Sequence, residues 1–386
     1  MSKHKPKLIR VTTVSKSLRR LLKGQLNYMN THGFEVKGVA SPGPLLAEVE
    51  VHEQIPTIAI PMQRGIAPLQ DLVSLWKLYR LFRKEKPEIV HTHTPKAGTL
   101  GILAAYLAKV PIRLHTVAGL PLMEARGQKR KVLDVVEKLT YSYATKVYPN
   151  SLNLKKFIIE EHLASPDQLK VIGHGSSNGI DTAEFSPEQV SEEKKQAIKT
   201  ELGIQATDFV YVYVGRLVKD KGVNELITAF LPLAEKFDNI HLVVVGNNDD
   251  NTDPLNVETL EYLQNHPRIH AVGYKNNVVD YFAIADVFTF PSYREGFPNV
   301  VLQAAAMQLC SIVTDINGSN EIISNTENGF VIPVKNSELL YEKMRWCYQN
   351  QEEAKAMGKK SRGIVVEKFE RQYLWSMIKK EYESFL

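Results

Sequence analysis

Short apolar runs alternate with helix-type segments along almost the whole chain, and this alternation limits the folds that the sequence can adopt. Runs of this kind are typical of strands buried on both faces of a parallel sheet, with helices crossing back over the sheet. They form two groups on either side of a polar stretch at residues 186–200. Strands are predicted at 8–13, 36–40, 57–60, 89–93, 112–117, 146–148 and 170–172, and then at 209–214, 240–245, 269–272, 287–290 and 311–314. The pattern therefore predicts an α/β protein with two doubly wound parallel sheets.

The length supports two domains, because 386 residues exceed what one hydrophobic core usually organises. We expect a first domain at 1–185 and a second at 200–370, with a final helix at 371–386 folding back onto the first. Two such domains facing each other would leave a cleft between the carboxyl edges of their sheets. Neither half carries a G-x-G-x-x-G turn followed by an acidic residue, which disfavours a dinucleotide cofactor.

The composition restricts the cellular environment and the binding partners that are expected for the chain. Cys310 and Cys347 form no disulfide framework or metal motif, and no apolar segment approaches the ~20 residues that span a bilayer. The net charge of +5 is uneven, since residues 1–40 hold nine Lys or Arg, beginning with Lys3, against Glu35 alone. A second basic cluster lies at residues 126–131. These patches favour a phosphate-rich partner such as an anionic membrane surface, and the absence of nucleic-acid-binding motifs disfavours DNA or RNA.

Two turns carry most of the chemistry in the second half. The first, residues 215–222, follows the predicted strand 209–214, and the second, residues 291–299, follows the strand 287–290. Both turns should lie at the carboxyl edge of one sheet, where open α/β sheets bind ligands. Arg216 and Lys221 flank the first turn between Gly215 and Gly222, and two converging cations suit a diphosphate.

The second turn combines a carboxylate with a predicted helix start at Pro298. Backbone N–H groups at a helix N-terminus attract phosphate oxygens. Glu295 precedes this start and Gln303 follows it, so a carboxylate and an amide could bind vicinal hydroxyls of a sugar. In the first half, His91 and His93 alternate at a strand end and face one side of the sheet, without a third metal ligand at suitable spacing.

Taken together, these motifs resemble those of the retaining family-4 glycosyltransferases of GT-B fold. The resemblance rests on Gly215-Arg216…Lys221-Gly222 and Arg294-Glu295-Gly296-Phe297-Pro298-Asn299…Gln303. It extends to the segment from His91 to Gly98, to Pro149-Asn150-Ser151 and to the segment from Ser177 to Asp181. The chain looks most similar to bacterial transferases of capsule, O-antigen and lipid-linked oligosaccharide synthesis. This implies two facing Rossmann-like domains with an interdomain cleft, the first binding the acceptor and the second the nucleotide sugar.

The resemblance also implies an activity and roles for individual residues. The expected reaction is retaining transfer of a sugar from a UDP-sugar to a glycan or polyprenyl-diphosphate-linked acceptor, without a metal or other cofactor. The expected catalytic residues are Glu295, Arg216 and Lys221. The expected donor-binding residues are Gly24, Gly215, Arg216, Lys221, Tyr274, Glu295, Gly296, Phe297, Pro298, Asn299, Val300 and Gln303. The expected acceptor-binding residues are His91, His93, Lys96, Asn150 and Ser151.

The chain departs from the family pattern in three places. Gln303 stands where the family has the second glutamate of its paired-glutamate motif, and Ala118 stands where many members have a donor-binding histidine. The usual glycine-rich first loop is replaced by a Leu- and Arg-rich segment that retains Gly24. Because leucines alternate with cations there, we predict that this segment contacts an anionic membrane or the diphosphate of a lipid acceptor. The expected contacts are Lys16, Arg19, Arg20 and Lys23.

Two other functions remain open from the sequence: a nucleotide-sugar epimerase of similar fold, and a weakly catalytic nucleotide-sugar-binding subunit. Acceptor-dependent release of nucleotide diphosphate would distinguish a transferase from both. The expected location is cytoplasmic, peripheral at the inner face of the plasma membrane. The expected partners are the nucleotide-sugar donor, the glycan or lipid-linked acceptor and the membrane surface, with no nucleic acid.

Overall fold

The computed structural model describes residues 5–63, 65, 67–123, 125–248 and 253–386. Lys3, the first residue of the basic N-terminal excess, lies outside this range. The chain divides into two compact units, one formed by Met1–Gly179 with Arg371–Leu386 and the other by Ile180–Glu370. Each unit contains, within the described residues, one six-stranded parallel sheet.

The sheet of the first unit has the order β3-β2-β1-β4-β5-β6. Its strands are β1 (Lys7–Val14), β2 (Glu35–Ser41), β3 (Thr57–Ala59), β4 (Ile89–His93), β5 (Ile112–Val117) and β6 (Lys146–Pro149). Its helices are α1 (Ser15–Leu21), α2 (Gln25–Thr31), α3 (Leu45–Glu53), α4 (Pro68–Glu85), α5 (Pro95–Leu107), α6 (Gly127–Tyr143), α7 (Leu152–Glu160) and the last helix of the chain, α16 (Arg371–Glu383).

Successive side chains of a strand point to opposite sides of the sheet, so apolar strands have two faces to bury. Helices cover both faces of this sheet. Leu8 of β1 packs in a cluster with Leu18 and Leu26, and the same cluster includes Leu374 of α16. Its neighbour Ile9 packs on the other face with residues of α4 and α5. A parallel sheet buried in this way explains why its strands appear as continuous apolar runs.

The second unit repeats the plan with the sheet order β12-β11-β10-β7-β8-β9. Its strands are β7 (Phe209–Val214), β8 (Ile240–Val245), β9 (Ile269–Gly273), β10 (Val287–Phe290), β11 (Cys310–Thr314) and β12 (Gly329–Ile332). Its helices are α8 (Glu192–Glu201), α9 (Val223–Lys236), α10 (Val257–Asn265), α11 (Val279–Ala283), α12 (Asn299–Ala306), α13 (Ser319–Ile322), α14 (Ser337–Gln349) and α15 (Gln351–Phe369). In both sheets the strand order turns back at the first strand, which places a ligand-binding crevice at the carboxyl edge.

The structure differs from the sequence prediction in several elements. Residues 170–172 are not a strand, since the backbone there makes only an isolated bridge through Leu169 to Val147. The short edge strand β12 and the helices α2 and α3 were not predicted. The polar stretch 186–200 contains α8 and lies inside the second unit, because Val190 and Ile204 on either side of that helix are buried in its core.

Candidate active site

The two predicted turns lie side by side at the carboxyl edge of the second sheet. β7 and β10 are paired in parallel, with Val287 opposite Tyr211, so the turns that follow them leave the sheet at adjacent points. The Tyr293 N–H donates to the Asp220 carbonyl oxygen at 2.8 Å, which joins the turns directly. Residues about 70 positions apart in the chain therefore form one local site at the carboxyl edge of the sheet.

Gly222 makes this close approach possible. Its φ of 69° lies in the left-handed region that favours glycine, and a Cβ atom there would lie 2.0 Å from the Pro291 carbonyl oxygen. The residue is also the N-cap of α9. A side chain at this position would push the two turns apart, so the glycine is required by the geometry of the site.

Two ion pairs connect the turns. Lys221 Nζ lies 2.7 Å from Glu295 Oε1, with the two side chains 13% and 21% exposed, and it also donates to the Arg294 carbonyl at 3.3 Å. Arg294 binds Asp220 Oδ2 through Nε and Nη2 at 2.9 and 2.8 Å. The lysine–glutamate pair is half-buried, so its two charges are less screened than a surface pair.

A third loop supports the carboxylate turn. Asn317 Nδ2 donates to the Gly296 carbonyl at 2.5 Å, and a Cβ at Gly318, whose φ is 77°, would lie 2.8 Å from that same oxygen. Ser292 Oγ lies 3.4 Å from Glu295 Oε1. Sequence reasoning missed Asp220, Ser292, Asn317 and Gly318. The Asn317-Gly318 pair directly after β11 is a turn signal that could have indicated the third loop.

The helix beside this site begins one residue later than predicted. Pro298 is the N-cap, and α12 starts at Asn299. Among the expected donor-binding residues from Phe297 to Val300, Pro298 cannot donate a backbone hydrogen bond, because proline has no N–H. The Val301 N–H donates to the Pro298 carbonyl at 3.0 Å, whereas the N–H groups of Asn299 and Val300 lie where a helix start supplies no intrahelical acceptor and so are available to an anion. The Phe297 ring is buried against Phe369, and Gln303 lies half-buried one turn into the helix.

Three further predicted donor-binding residues lie at the same edge of the sheet. Arg216 is exposed, and its carbonyl accepts a hydrogen bond of 2.9 Å from the Tyr213 hydroxyl. Gly215 is approached so closely by Gly246 that a Cβ on Gly246 would lie 1.8 Å from the Gly215 carbonyl oxygen. Tyr274 follows β9 and is half-exposed, and its backbone N–H donates to Asn247 Oδ1 at 2.8 Å.

In the first unit, His91 and His93 are buried rather than lining an open acceptor surface. Their rings stack with centroids 4.4 Å apart, and His93 Nε2 lies 2.8 Å from Nη2 of the fully buried Arg10. His91 contacts the Tyr382 hydroxyl at 2.6 Å and Thr116 Oγ1 at 2.8 Å. Burial lowers the pKa of both histidines well below its usual range, and the Arg10 charge adds to the effect. Both rings are therefore neutral at physiological pH.

These side chains line a small pocket. Its volume is ≈ 20 Å³, which is the scale of about one water molecule. Asn150 lines it, whereas the adjacent Ser151 is the N-cap of α7 and accepts from the Leu154 N–H at 3.0 Å. The acceptor role predicted for Ser151 is thus replaced by a structural one, since its hydroxyl is fully buried and caps a helix.

Lys96 lies at the carboxyl edge of the first sheet, next to a strained backbone. Its Nζ is 2.6 Å from Asp71 Oδ2. Thr94 before it has φ 75° and ψ 145°, a conformation that non-glycine residues rarely adopt, and its hydroxyl is held 2.7 Å from Thr13 Oγ1. Strain of this kind occurs most often where backbone is positioned for a ligand.

The first loop differs from its prediction in two respects. Gly24 has φ 80°, its N–H donates to Glu53 Oε1 at 2.6 Å, and a Cβ would lie 2.6 Å from the Trp375 ring. Packing inside the first unit therefore explains this glycine, and its N–H is not open to a donor. Leu18 and Leu22 are fully buried, so the leucines of the predicted membrane segment belong to the core. Of its cations, Arg19 lies 3.6 Å from Glu48, and three are exposed: Lys16, Arg20 and Lys23.

Among the residues that the structure describes, no group of three or more His, Cys, Asp or Glu side chains is arranged to hold a metal ion. In the same part of the chain, no helix combines the length and apolar character needed to cross a bilayer.

The fold and this site define a class of protein: two Rossmann-like units of the GT-B type, one carrying a cationic and carboxylate site at its sheet edge. The family model described as Glycosyl transferases group 1 matches residues 194–363, and that described as Glycosyl transferase 4-like domain matches residues 14–175. The chain belongs to this family of GT-B glycosyltransferases and is a glycosyltransferase. The predicted family, fold class and enzyme class are thereby confirmed.

Relatives match over most of their length. The chain is 34% identical to the capsular polysaccharide biosynthesis glycosyltransferase CapM of Staphylococcus aureus, over 98% of this chain and 97% of the relative. It is 33% identical to the UDP-Gal:alpha-D-GlcNAc-diphosphoundecaprenol alpha-1,3-galactosyltransferase of Escherichia coli, over 72% of this chain and 70% of the relative. The crystal structure of Anabaena Alr3699/HepE in complex with UDP superposes with a TM-score of 0.82 at 18% identity, covering 98% and 100% of the two chains.

Proposed function

We propose that this glycosyltransferase moves a sugar from a UDP-sugar, with retention at the anomeric carbon, to a polyprenyl-diphosphate-linked or glycan acceptor in surface polysaccharide synthesis. The observation that carries the proposal is the Lys221–Glu295 pair at the junction of the two turns, beside the N-terminus of α12. A cation, a carboxylate and unpaired helix N–H groups are the chemistry that a sugar diphosphate requires.

In this proposal, two cationic side chains bind the diphosphate of the donor. Lys221 and Arg216 neutralise the departing nucleotide diphosphate, and the first turn of α12 donates N–H groups to its distal phosphate. Since these groups supply positive charge, the reaction proceeds without a metal ion. Gln303 on α12 is proposed to bind the nucleotide ribose through its amide, which both donates and accepts hydrogen bonds.

Glu295 serves the sugar. Its carboxylate is half-buried and held by Lys221, and it accepts from donor hydroxyls while stabilising positive charge that develops at the anomeric carbon. A front-face route fits this arrangement. The bond from the anomeric carbon to the diphosphate breaks on the face where the acceptor oxygen attacks, and the acceptor proton passes to the departing phosphate oxygen.

The relatives support the donor and acceptor classes. The E. coli relative uses UDP-galactose and a diphosphoundecaprenol-linked sugar, and the S. aureus relative acts in capsular polysaccharide biosynthesis. A lipid-linked acceptor would bring the enzyme to the cytoplasmic face of the membrane as a peripheral protein. We propose that the acceptor binds at the carboxyl edge of the first sheet near Lys96, above the pocket formed by His91, His93 and Asn150.

A thermal-shift titration with UDP and UDP-sugars tests the donor site. A ligand that binds only the folded state raises the melting temperature. Loss of one charged hydrogen bond in Lys221→Ala should weaken UDP binding about ten- to hundredfold. Lys219→Ala is the matched control, because this exposed lysine lies on the same turn. Equal weakening in both variants, or no stabilisation by any nucleotide, would overturn the assignment.

Turnover assays test the reaction itself. With UDP-sugar and a diphosphoundecaprenol-linked acceptor, UDP release should require the acceptor, persist with EDTA, and give a product of unchanged anomeric configuration by NMR. Glu295→Gln should keep UDP binding while losing most turnover. Epimerisation without acceptor would instead indicate the epimerase, an inverted product would refute retention, and loss of activity with EDTA would refute metal independence.

A further inference from the structure

One side of the first unit exposes an apolar stripe along α4. Leu69, Leu72, Val73 and Trp76 are between 53% and 82% exposed, at the i, i+3, i+4, i+7 spacing of a single helix face. The opposite face is already buried through Leu78 and Phe82, which belong to the core. The helix therefore has a second apolar face that the fold of the first unit does not need.

The nearby helix α6 has the same property. Val132, Val135 and Leu139 are between 49% and 57% exposed, while the polar Glu137 and Thr140 of the same helix are buried. Tyr141 and Leu133 of the same helix pack in the core, so α6, like α4, has one buried apolar face and further apolar residues that face outward. Clustered exposed apolar residues on a monomer indicate a surface with a partner.

The two stripes lie in the same layer of the first unit. α4, α5 and α6 connect β3 to β4, β4 to β5 and β5 to β6, and right-handed crossovers in this strand order place all three on one face of the sheet. α5 packs against both α4 and α6. Two exposed sets therefore lie on the outer side of one helical layer, here called the α4–α6 face: Leu69, Leu72, Val73 and Trp76 of α4, and Val132, Val135 and Leu139 of α6.

Basic side chains surround this face. Nearby acids are neutralised, since Asp71 pairs with Lys96 and Asp134 with Arg130. The Arg80 guanidinium lies 4.7 Å from the centre of the Trp76 ring. The exposed cations on the two helices are Lys77, Arg80, Arg83 and Lys84 on α4 and Lys129, Lys131 and Lys138 on α6. Leu and Trp side chains flanked by Lys and Arg are typical of helices that lie in the interface of an anionic membrane.

We propose that the α4–α6 face docks on an anionic lipid surface, with the apolar stripes inserted at headgroup depth and the cations bound to lipid phosphates. The proposal rests on the proposed function, which places the acceptor in the membrane. It moves membrane contact away from the α1 segment, whose Leu18 and Leu22 are buried in the core and unavailable to lipid. The commitment to a membrane follows from charge, because a surface this basic would repel a second copy of itself.

Flotation with vesicles of equal parts phosphatidylglycerol and phosphatidylcholine tests the proposal, with pure phosphatidylcholine vesicles as the uncharged comparison. The variant Lys77→Gln/Arg80→Gln/Lys84→Gln should bind the anionic vesicles more than tenfold more weakly, at about fivefold per charge. Leu72→Ser/Trp76→Ser should weaken binding at least tenfold. Val257→Ser is the matched control, because this residue is an equally exposed apolar side chain of the second unit, and it should bind like the wild type.

Trp76 provides a direct readout of insertion. Anionic vesicles should shift the wild-type fluorescence emission to shorter wavelength, and Trp76→Phe should abolish the shift while the protein still binds. UDP stabilisation should remain in every variant, so loss of docking is separated from failure of the proposed donor site. Unchanged flotation of both multiple variants would overturn the proposal. So would loss of binding only in Lys16→Gln/Arg20→Gln/Lys23→Gln, or a wild-type dimer in light scattering that Leu72→Ser/Trp76→Ser converts to a monomer.

Discussion

Replacing Gly222 by alanine should open the junction on which the candidate site depends. The residue combines a left-handed φ of 69° with a position where a Cβ would lie 2.0 Å from the Pro291 carbonyl oxygen. An ordinary contact would require that oxygen to move by more than about 1 Å, and it belongs to backbone that cannot rotate away as a side chain can. The substitution therefore affects both stability and the distance between Lys221 and Glu295.

Gly203 separates the two contributions. It has the same φ of 69°, but no atom lies within 4 Å of the position that its Cβ would take. Gly203→Ala should cost only the left-handed strain of about 1–2 kcal/mol. Gly222→Ala should cost the same strain and, in addition, the energy of the clash with the Pro291 carbonyl. The total loss of stability should then reach ~4 kcal/mol, as in other substitutions that disrupt a buried backbone contact.

Thermal unfolding and UDP titration of the two variants provide the assay. For a unit of this size, each kcal/mol lowers the melting temperature by about 2–4 °C. Gly222→Ala should melt at a clearly lower temperature than Gly203→Ala and should also lose most of its UDP stabilisation. Equal melting temperatures with intact UDP binding in both variants would refute the reasoning, because the turns would then tolerate separation.

Three further predictions follow from contacts in the structure. A double-mutant cycle of Lys221→Met and Glu295→Gln should give a coupling energy of about 1 kcal/mol in stability, since the two side chains are half-buried and close together. Additive effects of the two substitutions would contradict a formed ion pair. Burial lowers the pKa of His115 to about 4. The neutral ring therefore contributes stability that is fully present above about pH 6.5 and is lost as the pH falls toward 4. For this group the loss in the free energy of unfolding should be at most ~3 kcal/mol. A melting temperature that is flat over this range, or a slope that His115→Gln leaves unchanged, would contradict that burial. Ser151→Ala should lower stability by about 1 kcal/mol through loss of the α7 cap, with unchanged Michaelis constant for the acceptor; a raised constant without destabilisation would restore the acceptor role.

Most of the fold could be predicted from the sequence, because most of its strands are long enough to appear as continuous apolar runs. Continuous apolar runs such as 209–214 and 240–245 leave few alternatives to a parallel sheet. The misses were the short elements. β12 has four residues at the edge of its sheet, and its pairing is decided by Ser311 to Thr314 of β11 rather than by its own composition. The predicted strand 170–172 did not form because, within the described residues, this segment is joined to β6 only through the isolated bridge from Leu169 to Val147.

The sequence predicted two turns as the candidate site, and the contacts between them required the structure. The pairing of Lys221 with Glu295 follows from the neighbouring positions of β7 and β10, which are not consecutive in the chain. Asp220 stands between two lysines in the sequence, which does not indicate that it binds Arg294 of the other turn. His91 and His93 were correctly placed on one side of a strand. Their burial was decided by α16, whose Tyr382 covers His91 from the far end of the chain.

By itself, the sequence determined the class of fold, the two strand–helix turns and the residue types of the candidate site, because periodicity and turn chemistry are local properties of the chain. Tertiary structure decided which apolar faces found a partner. Leu18 of α1 and Leu22 directly after this helix are covered by the core, whereas the Leu69 to Trp76 stripe of α4 is left exposed. Periodicity shows that a helix has an apolar face, but only the packing of distant segments determines whether that face meets the core or remains available to a surface such as a membrane.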